Sequence, residues 1–227
     1  MYPFIRMIKA LWQSRNLPPI GFDETHVSHH RCWPWDIDMW MELNNGRTLT
    51  LLDLWRIPLA KRAGLIDALK GNQWGLTMAG VSVRYRRRIR TFEAFTMKSR
   101  AVCWDERFFY LEQCMIKSDG EVANHALYRA AVTDKSGIIA PARVAEAMGR
   151  DTVSPPIPAW VANWIEADAS RPWPPIYFLH RPESKRSSSP VPAISTARQR
   201  RGCDLLRPAK PRHCPFERPA SRFPVRP

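Results

Sequence analysis

At 227 residues, with 44% apolar and 25% charged residues, the chain can bury one ordinary domain and keep residues outside it. No run of about 18 apolar residues occurs, so the sequence offers no candidate for a bilayer-spanning helix. The formal charge of +14 suggests nucleic acid until it is located: residues 176–227 carry +9 and residues 1–175 only +5, so no specific nucleic-acid partner is expected.

Residues 1–21 form an N-terminal amphipathic segment, in which Phe4, Ile5, Ile8, Leu11 and Trp12 alternate with Arg6, Lys9 and Arg15. It lacks an apolar h-region and a small-residue cleavage site, so no secretory signal is expected. Packing against the domain is the preferred reading, with peripheral membrane contact the weaker one. Residues 22–149 read as the folded body. His26 to Trp33 predicts a strand, and the segment from Trp33 to Arg47 then carries two acids one residue apart and an Asn-Asn pair. The spacing predicts a helix over Thr48 to Leu65, with Leu51, Leu52, Trp55 and Leu59 on one broad apolar face. Pro58 implies either a kink near Trp55 or a second helix beginning at the proline.

Four strand signals follow, at Leu76–Ile89, Phe92–Trp104, Phe108–Ile116 and Glu121–Asp134. In the second, Phe95, Met97, Ala101 and Cys103 are in phase. Asp119-Gly120 marks a tight hairpin, because such a turn needs residues that tolerate positive φ. One strand, a long helix and an antiparallel meander make an α+β pattern. Residues 150–175 read as a docking segment. Residues 176–227, a basic tail with nine prolines, predict disorder; that text suits a genuine extension or an altered reading frame equally. The five cysteines (Cys32, Cys103, Cys114, Cys203, Cys214) form no Cys-x-x-Cys pair, which points to reduced thiols in a cytoplasmic protein with neither zinc nor another cofactor.

The run Asp36-Ile37-Asp38 to Asn44-Asn45-Gly46-Arg47, leading into a helix, resembles the hotdog-fold acyl-CoA thioesterases of the 4-hydroxybenzoyl-CoA thioesterase-like branch. Arg100 to Glu112, containing Trp104-Asp105-Glu106-Arg107-Phe108-Phe109-Tyr110-Leu111-Glu112 and followed by Asp119-Gly120, is similar to the thioesterase superfamily member 6-type branch. The likeness covers roughly Thr25 to Thr133, and Ser154 to Pro175 resembles that branch's short helix after a proline turn. It implies a curved antiparallel sheet wrapped around a central helix. It also implies hydrolysis of an acyl-CoA to free acid and CoA, and assembly as a homodimer or homotetramer. One departure stands out: Met41-Glu42 replaces the Gly-His that many members carry.

Thioester hydrolysis needs a carboxylate to activate water or attack the carbonyl, and N–H donors for the oxyanion. The resemblance gives the first role to Asp36, with turn or helix capping as the alternative. Asp38 is expected to hold its loop through backbone N–H groups. Asp53, on the helix, is the second candidate acid, with an ion pair to Arg56 or Arg47 as its structural reading. Asn44 and Asn45 are expected to order the turn and cap the helix, Asn45 also being a candidate substrate contact. The segment Asn44–Arg47 would hold the thioester carbonyl. Alternation puts Arg84, Arg86, Arg88 and Arg90 on one strand face and Arg87 on the other, a candidate landing site for CoA phosphates. Trp33, Trp35, Trp40 and Trp55 are read as acyl-pocket lining or core. The alternative function, motivated by Met41-Glu42, is a non-hydrolytic module that binds acyl-CoA or an acyl carrier.

Overall fold

The computed structural model describes residues 3–175; the tail expected to be disordered lies outside them. In chain order the elements are α1 (Phe4–Ser14), β1 (His26–Arg31), a single 3-10 turn (Pro34–Asp36), α2 (Asn45–Arg62), α3 (Leu65–Asn72), β2 (Gly75–Tyr85), β3 (Ala94–Trp104), β4 (Phe109–Lys117), β5 (Val122–Asp134), β6 (Gly137–Ile139), α4 (Pro141–Ala147) and α5 (Ala159–Ala169). No helix among the described residues is long and apolar enough to cross a membrane.

The sheet is antiparallel with order β1-β3-β4-β5-β2, and β6 pairs with β5. The expected meander therefore holds for β3, β4 and β5, whereas β2 crosses to the far side and becomes an edge beside β5. Gly120 takes φ +86° in the β4–β5 hairpin, as the Asp-Gly signal requires.

Side chains alternate across the sheet, and each face buries against helix. On the inner face Phe95, Met97, Met115, Ala126 and Tyr128 pack on Leu51, Leu52, Leu54 and Trp55 of α2. This is the curved sheet around a central helix that the resemblance implies. On the outer face Cys103, Tyr110 and Leu127 pack with Val161 of α5. A register shift between Ala101 and Cys103 corrects the expected phase of β3: Ala101 faces inward opposite Leu111, and Cys103 faces outward opposite Tyr110.

Helix α2 runs unbroken through Pro58, so no second helix starts there. A proline at that position forfeits one backbone bond. Burial of Leu52, Leu54, Trp55, Pro58 and Leu59 around it offsets that loss. The break comes instead at Gly64, whose φ of +87° opens α3. Helices α3 and α4 and strand β6 were not expected, being too short to show a period of their own.

Candidate active site

Asp36 ends the 3-10 turn, and its side chain has no exposed surface. Its Oδ2 accepts the backbone N–H of Trp33 at 3.0 Å and lies 2.8 Å from Nη2 of Arg6. Its Oδ1 accepts from Nη1 of Arg6 at 3.0 Å and from Nε of Arg47 at 2.9 Å. Asp36 thus ties α1, the turn and α2 together, with both carboxylate oxygens engaged and no side-chain surface open to solvent. Asp38 holds its loop as expected, accepting the Trp40 N–H at 2.9 Å. The loop carries backbone strain at Met41, with φ +59°. Glu42 pairs with Arg88 at 2.7 Å.

Asp53 sits two turns along α2, with a side chain 42% exposed and paired with Nη2 of Arg56. This is the ion pair of its structural reading, yet Asp53 and Arg56 also border a cavity of about 110 Å³. Ile57 of α2, Leu65 of α3, Leu76 and Met78 of β2, and Phe109 and Leu111 of β4 line it. Among the described residues, Asp53 and Arg56 are the only polar side chains in that lining. None of Trp33, Trp35, Trp40 and Trp55 reaches it. Trp55 is core, stacked 3.8 Å from the His30 ring, and the other three are exposed.

A second hollow, of about 160 Å³, lies at the start of α2 and includes Asn45, Thr48, Tyr85, Arg86, Arg88 and Asn124. Asn44 caps the helix, its Oδ1 accepting the Arg47 N–H at 3.1 Å. The Tyr85 hydroxyl donates to the Asn45 carbonyl at 3.2 Å. Strand alternation fails just here, because the N–H groups of Arg86 and Arg87 both bond the Ala123 carbonyl. Arg86, Arg87 and Arg88 therefore share this hollow. Arg84 does not join them: it opens on the outer face beside Ser82, His125 and Trp160. The expected single arginine face is corrected accordingly.

Residues that pattern alone did not single out complete the site. Gln113, next to Glu112 in β4, is fully buried and accepts from Nη1 of Arg56 at 3.1 Å. The thiols of Cys32 and Cys103 are pushed up to about 11 by burial, which keeps them protonated and poor nucleophiles. Among the described residues no group of His, Cys, Asp and Glu is placed to hold a metal ion.

A model of the thioesterase-like superfamily matches residues 32–165 of this chain. The chain belongs to that superfamily. It is 34% identical over 139 residues to Protein THEM6 of Xenopus laevis, covering 60% of this chain and 65% of the relative. With Protein THEM6 of Danio rerio the identity is 36% over 104 residues, covering 45% and 52%. The matched stretch thus spans between about half and two thirds of these relatives' length. The probable thioesterase YbaW from Escherichia coli shares the fold with a TM-score of 0.51 and 17% identity, over 54% of this chain and 95% of that one. A putative oleoyl thioesterase from Lactobacillus plantarum does so with a TM-score of 0.51 and 16% identity, over 60% and 54%. The hotdog architecture follows from these structural matches, and over the matched stretch the chain is similar to THEM6-type relatives.

Proposed function

We propose that the chain hydrolyses an aliphatic acyl-CoA, with Asp53 rather than Asp36 as the working carboxylate. The observation that carries this reading is the placement of Asp53 at an otherwise apolar cavity. A carboxylate there can activate water beside a thioester whose acyl chain is sequestered from solvent. The rest of the lining is apolar, so it suits an aliphatic chain better than a hydroxylated aromatic acyl group, whose polar atoms would face carbon. The cavity is also small beside the roughly 300–1,000 Å³ of sites for drug-sized ligands, which favours a short chain.

The arginines at the start of α2 supply the end for CoA. Asn45 and Asp53 are eight residues apart on one helix, about 12 Å at 1.5 Å per residue, too far to act on one thioester. A homodimer resolves this. Edge strand β2 has its Tyr85 end at the start of α2 and its Leu76 end at the cavity. Antiparallel pairing of two β2 edges would bring the helix start and arginines of one copy to the Asp53 cavity of the other. Leu76, Met78, Val81 and Tyr85 are exposed along that edge, as a buried interface would need. The helix N-terminus then offers N–H groups and positive potential to the oxyanion. Free thiols at Cys32, Cys103 and Cys114 suit a reducing compartment such as the cytoplasm.

Steady-state hydrolysis of short, medium, long and aromatic acyl-CoA by the full chain tests the reading. Turnover should favour short aliphatic chains. Burial of Asp36 between Arg6 and Arg47 favours the non-hydrolytic module as the second reading, and CoA binding without thioester loss across the panel would establish it.

A further inference from the structure

A guanidinium group in the wall between a helix and a sheet is expensive, and an apolar side chain of similar volume often stabilises as well or better. Arg56 is such a group, with a side chain only 9% exposed. We propose that Arg56, locked from behind by Gln113 and Tyr128, is a positioning residue that fixes the Asp53 carboxylate at the cavity. The proposal rests on the reading of Asp53 given above.

The contacts form a chain from the sheet to the cavity. Gln113 of β4 donates from Nε2 to the Ser99 hydroxyl at 2.8 Å and to the Leu52 carbonyl at 3.0 Å. A carbonyl oxygen cannot donate to the Leu52 carbonyl, so the amide has one satisfactory orientation, which leaves Oε1 to face Arg56. Arg56 donates from Nη1 to that Oε1 at 3.1 Å, and its guanidinium carbon lies 3.9 Å from the centre of the Tyr128 ring. With Nη1 held by an amide and one face by a ring, Nη2 is turned toward Asp53 and donates to its Oδ1. Gln113, Ser99 and Tyr128 are themselves at most 3% exposed, so the anchor cannot relax into water. An exposed pair three residues apart on a helix contributes a few tenths of a kcal/mol and fixes little. Here the buried anchor converts that weak pair into a defined carboxylate position.

The test compares four full-length variants with the parent on the best acyl-CoA of the panel: Asp53→Asn, Arg56→Lys, Arg56→Ala and the double variant Arg56→Met with Gln113→Leu. The double variant removes the Arg56–Gln113 donor and acceptor together but also ends the amide's donations to Ser99 and Leu52, so its Tm should fall by several degrees. Assayed below its melting transition, where it is folded, its kcat should fall about 10–100-fold, the scale of an ångström of misplacement. KM should stay within about threefold, because ground-state binding is untouched. Arg56→Lys should restore part of kcat, and millimolar guanidinium chloride should restore part of it to Arg56→Ala. Full kcat in the folded double variant, with Asp53→Asn inactive, would overturn the role of Arg56 alone. Full activity in Asp53→Asn would remove the reading of Asp53 and the proposal with it.

Discussion

Nη2 of Arg6 lies 2.8 Å from Oδ2 of Asp36, joining two residues thirty positions apart around a carboxylate with no exposed surface. The amphipathic α1 is thereby fastened to the loop that leads into the central helix. Asp36→Asn would leave the guanidinium groups of Arg6 and Arg47 facing an uncharged amide. Breaking a buried pair from one side costs about 3 kcal/mol or more. We expect Tm to fall by roughly 6–12 °C, measured by thermal unfolding at neutral pH. An unchanged Tm would show that Asp36 is not the tie described.

Met41 holds φ +59°, a conformation that costs an L residue about 1–2 kcal/mol and glycine nothing. Its side chain is exposed, so its loss removes little burial. Met41→Gly is expected to stabilise the chain by about 0.5–1 kcal/mol, less than the full strain because glycine also frees the unfolded state. Urea unfolding gives the difference directly, and a lower midpoint for the variant would contradict the strain argument.

Arg86 and Arg84 are two residues apart yet open onto different faces. Arg86→Ala should raise KM for acyl-CoA about 3–10-fold and weaken its dependence on salt. Arg84→Ala should leave both near the parent values. Equal effects from the two would place CoA elsewhere.

His26 is buried beside Arg62, which donates to its Nδ1 at 2.9 Å. Burial first, and that guanidinium second, bring its pKa down to about 4. The unfolded histidine titrates near 6.5, so between about 6.5 and 4 the unfolded chain binds the extra proton. Stability is full above that window and falls as pH drops through it, by on the order of 2–3 kcal/mol for this residue. His30, pushed to about 3 chiefly by burial, extends the loss further into acid. Tm measured from pH 7.5 to pH 4.5 should decline in the parent and less steeply in His26→Gln.

The fold was legible because long elements print their period. Leu51, Leu52, Trp55 and Leu59 marked α2, alternation marked four strands, and Asp119-Gly120 marked its turn. What escaped was either short, as in α3, β6 and α4, or non-local. The pairing of β2 with β5 is set by which edge remains open, and no residue of β2 encodes it. The site was half legible for the same reason. Both acids were visible, but their roles depend on Arg6, which arrives from thirty residues upstream, and on Gln113, which beside Glu112 reads as part of a polar pair with no sign of which member is buried. The arginine face failed locally, because two N–H groups share the Ala123 carbonyl and strand alternation stops there.

The most direct measurement follows loss of thioester absorbance with the parent, Asp53→Asn and Asp36→Asn on a short aliphatic acyl-CoA. The chain's own thiols then cannot interfere, as they would with a thiol reagent. Asp53→Asn should stay folded and lose about 10²-fold or more in kcat, the scale of removing a general base. Asp36→Asn should lose stability while its folded fraction keeps turning over. Full turnover in Asp53→Asn, with activity abolished in a folded Asp36→Asn, would contradict the account and return the chemistry to the strand–helix junction.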